Sequence, residues 1–467
     1  MFTYTFENDK KSSLYMQLYD FIKADILSGK LRRGDKLPSK RAAAKHLGVS
    51  VITTENAYAA LQSEGYIYSL PKKGYYVSEI SKLYHPAAVE QVRREPIIPE
   101  KKKYLYDFSS NGILADNFPF SVWAHLMRET FHHAKEDLIS PSPSGGIAAL
   151  QEALCTHLKQ FRGIDAAPLQ IIIGAGTEYL YSLLIQLLGG QACYALQNPG
   201  YPKIAKIYKS VGVKNVFVSE DDNGISIRRL NQSGADIAHI SPSHSFPSGK
   251  VMSISRRHEL LNWANEEQKR YIIEDDYDSE FRLAGKPLPA LQSLDKNEKV
   301  IYVNTFTKSL SPTIRISYMV LPRHLAELFY RRLGFYACTV SNFEQYTLAE
   351  FMLQGYFEKH INRMRNYYKK IRNLLLQEIK NSPLAQCSEV AEEKAGLHFL
   401  LKLKTDMPDA LLKKKAAAAG IHISFLSEYY RADSTEVPAH VIVMNYSALK
   451  KENIPAAVKA LEKVLIK

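Results

Sequence analysis

Residues 79–105 separate two parts of the chain that follow different patterns. The segment contains three prolines and mixed charges, and its apolar residues show no sustained period that would predict a helix or a strand. The chain has 467 residues, which is also too long for one ordinary hydrophobic core. We therefore predict a small domain over residues 1–78, a linker over 79–105 and a large domain over 106–467.

The composition excludes several classes of protein. Hydrophobic residues make up 46% and charged residues 23%, as in soluble globular proteins. The four cysteines lie far apart without a CxxC pair, and no HExxH or other metal-ligand spacing occurs, so neither a disulfide scaffold nor a metal site is predicted. The N-terminus lacks the apolar core of a signal peptide, and glycines and prolines break the longest uncharged run. We expect a cytoplasmic protein that does not enter a membrane.

Basic residues are concentrated in the small domain. The formal net charge is +13, and residues 22–45 hold eight Lys or Arg against two Asp. A nucleic acid would fit this excess of positive charge. Charge alone leaves a solvated helix face equally open.

The sequence after Pro38 predicts two short helices joined by a tight turn. Ser39 can cap the first helix and Ser50 the second, and Gly48 between them can form the turn. Such a pair is a helix-turn-helix, whose second helix presents its first side chains to a major groove of DNA. The side chains in that position here are Val51, Thr53 and Thr54.

The stretch GYIYSLPKKGYYV predicts two short strands around a basic tip. A basic hairpin of this kind suits contacts with the sugar–phosphate backbone or the minor groove. The residues that we predict to contact DNA are Arg33, Ser39, Lys40, Arg41, Ser50, Thr53, Thr54, Lys72 and Lys73.

Beyond residue 106, apolar strands alternate with amphipathic helices, which predicts an α/β domain with a mainly parallel sheet. One strand runs into Gly174-Ala175-Gly176-Thr177 and then into a helix. Free N–H groups at such a helix start favour a phosphate, although an isolated GxG is more often an ordinary turn.

A second segment, RYIIEDDYDSEF, predicts a strand that ends in acidic residues. Side chains two apart share a face of a strand, so Asp275 and Tyr277 are expected to point the same way. A carboxylate can keep a ring nitrogen protonated, and a phenol can hydrogen-bond an oxyanion. By itself the segment is more typical of a solvated acidic loop after a strand.

The third segment, TFTKSLSPTIRI, places one lysine among hydroxyl groups and an arginine. Lys308 could bond to an aldehyde, while Thr305, Thr307 and Arg315 suit a dianionic phosphate. Together the three segments supply partners for an aldehyde, a pyridinium, a phenolate and a phosphate. These are the groups of pyridoxal 5′-phosphate, which we predict as the cofactor.

Residues 12–78 resemble the winged-helix domain of the GntR family of bacterial regulators. The likeness rests on the motifs GKLRRGDKLPSKR, LGVS, AYAALQSEGYI and KKGYYV. The resemblance implies binding to double-stranded operator DNA. Val51 stands where the family usually has an arginine that contacts DNA. We therefore expect a different operator, or greater dependence on Lys40, Arg41 and the basic hairpin.

The region from about residue 107 onward resembles fold-type I aminotransferases. The supporting motifs are NFPFSVW, NPGYP, SPSHSFPSG, EDDYDSEF, TFTKSLSPTIRISYMVLP and AGLHF. A GntR-type winged helix fused to such a domain is the architecture of the MocR/GabR subfamily of transcription regulators. The implied fold class is α/β, a pyridoxal-phosphate-dependent transferase of fold type I with a smaller C-terminal subdomain.

The resemblance also implies a role for each residue of the cofactor site. Lys308 would form the internal aldimine, Asp275 would pair with the pyridine nitrogen, and Tyr277 would bond to the 3-oxygen. Arg315 would hold the phosphate. The residues expected to assist with the phosphate are Ala175, Gly176, Thr177 and Thr305 or Thr307. Tyr201 would line the cofactor ring or the effector cavity.

The effector site departs from the subfamily. GabR-like members use two arginines to hold the carboxylate of the effector, and Lys203 and Glu428 stand at the matching positions here. Arg431 lies close enough in sequence to substitute for the second arginine, and His244 is expected to form a hydrogen-bonding wall. Lysine and arginine are not equivalent for bidentate binding of a carboxylate. This site therefore does not fit γ-aminobutyrate.

The predicted function is a DNA-binding transcriptional regulator that uses pyridoxal 5′-phosphate to sense a small amine or amino acid through an external aldimine. Two alternatives stay open: an active aminotransferase, and a regulator that senses the cofactor itself. At most weak or partial transaminase chemistry is expected. The resemblance further implies a homodimer, in which a domain-swapped arrangement would rest each winged helix on the large domain of the partner.

Overall fold

The structure is a computed structural model that describes residues 3–6, 12–79, 103–110, 112–283, 288–394 and 396–466. The chain separates into two compact units, residues 1–100 and residues 101–467. Most of the predicted linker, residues 80–102, lies outside the described residues. The boundaries of the linker therefore stay a prediction.

The smaller unit combines three helices with a three-stranded antiparallel sheet of order β1-β3-β2. Its elements in chain order are α1 (Leu14–Leu27), β1 (Lys36–Leu37), α2 (Lys40–Leu47), α3 (Val51–Ser63), β2 (Ile67–Leu70) and β3 (Gly74–Val77). Helices α2 and α3 form the predicted helix-turn-helix, and β2 and β3 form the predicted basic hairpin.

The predicted helix caps are confirmed. The Ser39 hydroxyl accepts a hydrogen bond from the backbone N–H of Ala42 at 3.2 Å, and the Ser50 hydroxyl accepts one from Thr53 at 3.0 Å. Gly48 follows α2 with a φ of 68°, in the left-handed region that favours glycine. Local hydrogen bonding therefore fixes the start of both helices.

The larger unit is built around an eight-stranded sheet with helices packed against it. Its helices are α4 (Phe120–His133), α5 (Lys135–Ile139), α6 (Ala148–Arg162), α7 (Thr177–Leu188), α8 (Pro202–Ser210), α9 (Ile227–Gln232), α10 (Ile254–Asn265), α11 (Arg323–Leu333), α12 (Asn342–Leu353), α13 (Tyr356–Asn381), α14 (Leu384–Cys387), α15 (Asp409–Ala418) and α16 (Ile454–Leu465). Its strands are β4 (Tyr106–Asp107), β5 (Ile171–Ala175), β6 (Tyr194–Asn198), β7 (Asn215–Asp221), β8 (Gly224–Ile225), β9 (Ile237–Ile240), β10 (Tyr271–Asp276), β11 (Val300–Thr305), β12 (Ile316–Val320), β13 (Ser388–Ala391), β14 (His398–Leu403), β15 (Ile421–His422) and β16 (Val441–Asn445).

The large sheet has the strand order β5-β12-β11-β10-β9-β6-β7-β8. The central pairs β11·β10, β10·β9, β9·β6 and β6·β7 are parallel, whereas β12 and β8 run antiparallel to their neighbours. The prediction of a mainly parallel sheet is confirmed. Because parallel strands end at the same edge, the carboxyl ends of β6, β10 and β11 lie along one edge of the sheet.

A smaller antiparallel sheet, β13-β14-β16, lies toward the C-terminus, and β15 pairs with β4 in a separate two-stranded sheet. This arrangement matches the predicted smaller C-terminal subdomain. In the described part of the chain, no helix is long and apolar enough to cross a bilayer. Among the same residues, no group of three or more His, Cys, Asp or Glu side chains could hold a metal ion.

The core of the smaller unit generates a stability prediction. Leu18 on α1 is fully buried with Tyr58 and Leu61 of α3, whereas Leu27 at the end of the same helix is 61% exposed. The substitution Leu18→Ala should lower the unfolding free energy of this unit by about 2–4 kcal/mol, because it leaves a cavity. Leu27→Ala should change it by less than about 0.5 kcal/mol. Hydrogen exchange of peptides from α1 and α3 measures the unfolding free energy of both variants. Equal losses of stability in the two variants would contradict this packing.

Candidate functional site

A cavity of about 690 Å³ lies at the carboxyl ends of the parallel strands of the larger unit. The start of α7, the segment after β6, the ends of β10 and β11, and the segment before β12 all contribute to its walls. The predicted site residues that line it are Thr177, Tyr201, Lys203, Asp275, Tyr277, Thr305, Thr307, Lys308, Arg315, Glu428 and Arg431. Three segments far apart in sequence therefore form one pocket.

Lys308 lies in the turn between β11 and β12 and is 9% exposed. Burial lowers the pKa of its ammonium group to about 8, against the opposing attraction of the Asp278 carboxylate. A free lysine, with a pKa near 10.4, is almost wholly protonated at neutral pH. The Lys308 amine is thus neutral often enough to act as a nucleophile.

Asp275 is held at the end of β10 by two aromatic side chains. The Tyr181 hydroxyl donates a hydrogen bond to its Oδ2 at 2.8 Å, and His239 Nε2 lies 3.5 Å from the same oxygen. The Tyr208 hydroxyl lies 2.7 Å from His239 Nδ1 and fixes the ring from behind. The carboxylate is therefore buried, oriented and aimed at the cavity.

Tyr277 lines the cavity beside Asp275, so the two side chains reach the same pocket as expected. Its hydroxyl lies 3.1 Å from His244 Nδ1, and the same nitrogen lies 2.9 Å from Asp278 Oδ2. Burial is the main reason why the pKa of the Tyr277 phenol is raised well above its ordinary value, with Asp278 adding to the effect. The phenol therefore stays protonated and can donate a hydrogen bond to an oxyanion.

The opposite end of the cavity is suited to an anion. Helix α7 begins after Gly176 without a side-chain cap, so its first N–H groups lack that partner. Gly176 has a φ of 92°, and a Cβ atom there would lie 2.2 Å from Arg315 Nη2. The backbone conformation favours glycine here, and a Cβ atom would displace the guanidinium group of Arg315.

Glu178, which sequence analysis missed, connects two basic residues at this end. Its Oε2 accepts a hydrogen bond from Arg315 Nη2 at 2.5 Å, and its Oε1 accepts one from Lys203 Nζ. Burial opposes ionisation, but Lys203 and Arg315 together lower the pKa of Glu178 to about 2. Lys203, which was expected to hold the effector, shares the Glu178 carboxylate with Arg315, and its role stays a prediction.

Thr305 and Thr307 lie close together near Lys308, with their hydroxyl oxygens 2.7 Å apart. Ser317 on β12 donates a hydrogen bond to the Thr305 hydroxyl at 2.9 Å. These hydrogen bonds orient the pair of hydroxyl groups. Ser317 was not predicted, because its contact depends on the pairing of β11 with β12.

The other predicted effector residues are engaged by protein groups. Glu428 accepts hydrogen bonds from Lys413 and from the backbone N–H of Phe425. Arg431 donates to Asp433 at 3.1 Å. His244 is buried against Asp278 and is not among the residues lining the cavity. Aromatic side chains dominate this part of the wall, namely Tyr201, Phe217, Phe246, Tyr429 and Tyr430.

The smaller unit presents most of the predicted DNA-contacting residues at its surface. Exposed members are Arg33, Ser39, Arg41, Ser50, Lys72 and Lys73, while Lys40 and Thr53 are half-buried. Thr54 is fully buried, so its predicted contact with DNA is wrong. It lies on the side of α3 that packs against the core of the smaller unit.

Three residues of the cavity gave weak signals in the sequence. Tyr181 follows Thr177 by one helical turn and so shares its face, which could have revealed it. His239 interrupts an apolar strand, but a buried histidine in a strand is more often structural. Glu178 had the clearest signal, because an acidic residue beside an expected phosphate-binding turn needs a cation to neutralise it.

A family model for bacterial regulatory proteins of the gntR family matches residues 14–77, and a model for class I and II aminotransferases matches residues 104–461. Over 454 residues the chain is 36% identical to the HTH-type transcriptional regulator YdeL of Bacillus subtilis (strain 168), with 96% of each chain covered. It is 29% identical to the probable rhizopine catabolism regulatory protein MocR of Rhizobium meliloti, with 98% of this chain and 95% of that protein covered.

The architecture is also similar to the crystal structure of Pyrococcus horikoshii kynurenine aminotransferase. The TM-score is 0.67 at 20% identity, over 79% of this chain and 92% of that chain. This likeness shows the fold of the larger unit. With the two family models and the full-length relatives, it shows that the chain belongs to the MocR/GabR subfamily of GntR-type transcriptional regulators.

Proposed function

We propose that this regulator holds pyridoxal 5′-phosphate on Lys308 and changes its binding to operator DNA when a small amine enters the same cavity. The observation that carries the proposal is the convergence of Lys308, Asp275, Tyr277 and Arg315 on one cavity of about 690 Å³. Each of these side chains matches a different group of the cofactor.

The donor set fits the cofactor from end to end. The carboxylate of Asp275 would keep the pyridine nitrogen protonated, and the phenol of Tyr277 would hydrogen-bond the 3-oxygen. Arg315 and the uncapped start of α7 would hold the phosphate, with Thr305 and Thr307 nearby. When bound, the cofactor supplies an aldehyde that exchanges one amine for another.

Glu178 makes binding of a phosphate at this end a competition with its own carboxylate. Its carboxylate bonds to Arg315 at 2.5 Å, so an incoming phosphate would compete with it for the guanidinium group. Lys203 also bonds to Glu178 and would neutralise the carboxylate that the phosphate displaces. We infer that Lys203 therefore serves the cofactor end of the cavity.

The response to an amine follows from differential binding. An amine that takes the place of the Lys308 nitrogen changes what occupies the cavity. It alters DNA binding only if it binds one arrangement of the protein more tightly than another.

Family resemblance also leads us to infer a homodimer, in which two winged helices would bind two half-sites. Light scattering of the purified protein would measure the number of subunits.

The function is tested by titrating the purified, cofactor-loaded protein with a panel of primary amines. We expect at least one amine to change both the cofactor absorbance and the affinity for promoter DNA by threefold or more. Repression or activation that follows the cofactor concentration alone would favour a cofactor sensor instead. Sustained production of a keto acid, abolished by Lys308→Ala, would favour an aminotransferase.

The pKa of Lys308 gives a pH prediction. Because only the neutral amine attacks an aldehyde, the rate of cofactor attachment to the apoprotein should rise about tenfold per pH unit below pH 8 and level off above it. Stopped-flow absorbance measures the rate, with free lysine as the reference amine. A rate that keeps rising to about pH 10 would show an ordinary lysine. Lys308→Ala should give no borohydride-trapped adduct.

Gly176 provides a test of the phosphate end. Gly176→Ala should weaken cofactor binding by tenfold or more, because its new Cβ would lie 2.2 Å from Arg315 Nη2 at a φ of 92°. The matched control is Gly190→Ala, where no atom lies within 4 Å of the added Cβ. Titration of the apoproteins with the cofactor, followed by absorbance, measures both. If both variants bind the cofactor with equal affinity, the phosphate does not lie at Gly176.

A further inference from the structure

Helix α3 has one exposed side, which we call the reading face. Its members are Val51, Ile52, Glu55, Asn56 and Ala59. These positions recur at the spacing of a single helical face, and the opposite side is buried in the core of the smaller unit. In a helix-turn-helix this outward side of the second helix is the one that meets base edges.

The reading face offers two hydrogen-bonding side chains to a base, the Asn56 amide, which can pair with adenine, and the Glu55 carboxylate. Helix α3 contains no lysine or arginine over Val51–Ser63. The hydroxyls of Ser50 and Thr53 lie 2.8 Å apart, and Ser50 also caps the helix. Glu55 accepts a hydrogen bond from Lys40 at 2.6 Å. The bidentate arginine–guanine contact is therefore excluded for this helix.

The first turn of the reading face is aliphatic instead. Val51 is 43% exposed and Ile52 is 69% exposed, and neither belongs to the hydrophobic core of the smaller unit. In the major groove, the 5-methyl group of thymine is the apolar feature that distinguishes one base pair from the others. Burying an aliphatic side chain against a methyl group removes apolar surface of both from water.

We infer that Val51 and Ile52 read thymine methyl groups, so that the half-site of the operator carries A·T pairs at the positions they contact. The inference rests on the proposed binding to operator DNA and adds the chemistry of its selectivity. Basic residues around the face complement the phosphates without reading sequence, namely Arg41 and Lys45 on α2 and Lys72 and Lys73 on the hairpin.

The test uses the full-length protein and duplexes enriched by it from a random-sequence library. Thymine at the enriched positions is replaced by uracil, which differs only in lacking the 5-methyl group. We expect the dissociation constant to rise about fourfold for each methyl group that is contacted. Equal affinity for the thymine and uracil duplexes would overturn the inference.

Two variants assign the effect to the reading face. The double substitution of Val51→Ala and Ile52→Ala should weaken binding to the thymine duplex and abolish the difference between thymine and uracil. The control Lys72→Ala should weaken binding to both duplexes by the same factor, because it removes a phosphate contact. A double variant that keeps the thymine preference would overturn the assignment. Circular dichroism checks that both variants remain folded.

Failure of DNA binding and failure of methyl recognition give different results in these measurements. If the protein enriches no duplex at all, the proposed DNA binding fails and the methyl recognition fails with it. If the double variant changes the number of subunits while the wild type ignores the methyl groups, the exposed valine and isoleucine contact protein rather than DNA. A wild type that binds tightly and distinguishes thymine from uracil gives neither of these results and supports the inference.

Discussion

Desolvation of the Lys308 amine is the constraint on which the proposed chemistry of the cavity depends. A shift of its pKa from 10.5 to about 8 corresponds to roughly 3 kcal/mol that disfavours the charged amine inside the protein. The folded state bears this cost in full below about pH 8, and the cost disappears as the pH rises toward the ordinary pKa of lysine. The rigid sheet around the turn retains the buried amine despite this cost, which is typical of a functional rather than a structural lysine.

The remaining charges of the cavity are arranged around that amine at two separate ends. At one end, Asp275 is oriented by Tyr181 and His239, which leaves its carboxylate ready for a single cationic partner. At the other end, Glu178 joins Arg315 to Lys203. A ligand that carries both a dianion and a protonated ring would match the two groups of residues in one orientation.

The sequence predicted those features that local physics determines. The helix caps at Ser39 and Ser50 depend on hydrogen bonds within four residues. Asp275 and Tyr277 line the same cavity because side chains two apart at a strand end point the same way. Thr54 was assigned wrongly, because the orientation of a helix around its own axis depends on what packs behind it. Glu178 and His239 gain their roles from contacts between distant segments, which the pattern of one segment does not reveal.

In the smaller unit, the residues proposed to bind phosphates and those proposed to read bases lie on different elements. Its cations lie on α1, on β1 and in the segment before it, on α2 and on the hairpin, whereas the outward side of α3 holds Val51, Ile52, Ala59, one amide and one carboxylate. Salt weakens the contribution of the cations, because each phosphate contact releases counterions, but it leaves apolar contacts with base methyl groups nearly unchanged. Raising the ionic strength should therefore remove binding to random DNA before it removes the discrimination between sequences. If Val51 and Ile52 read thymine methyl groups as proposed, the choice of operator would depend on apolar contact in the groove more than on charge.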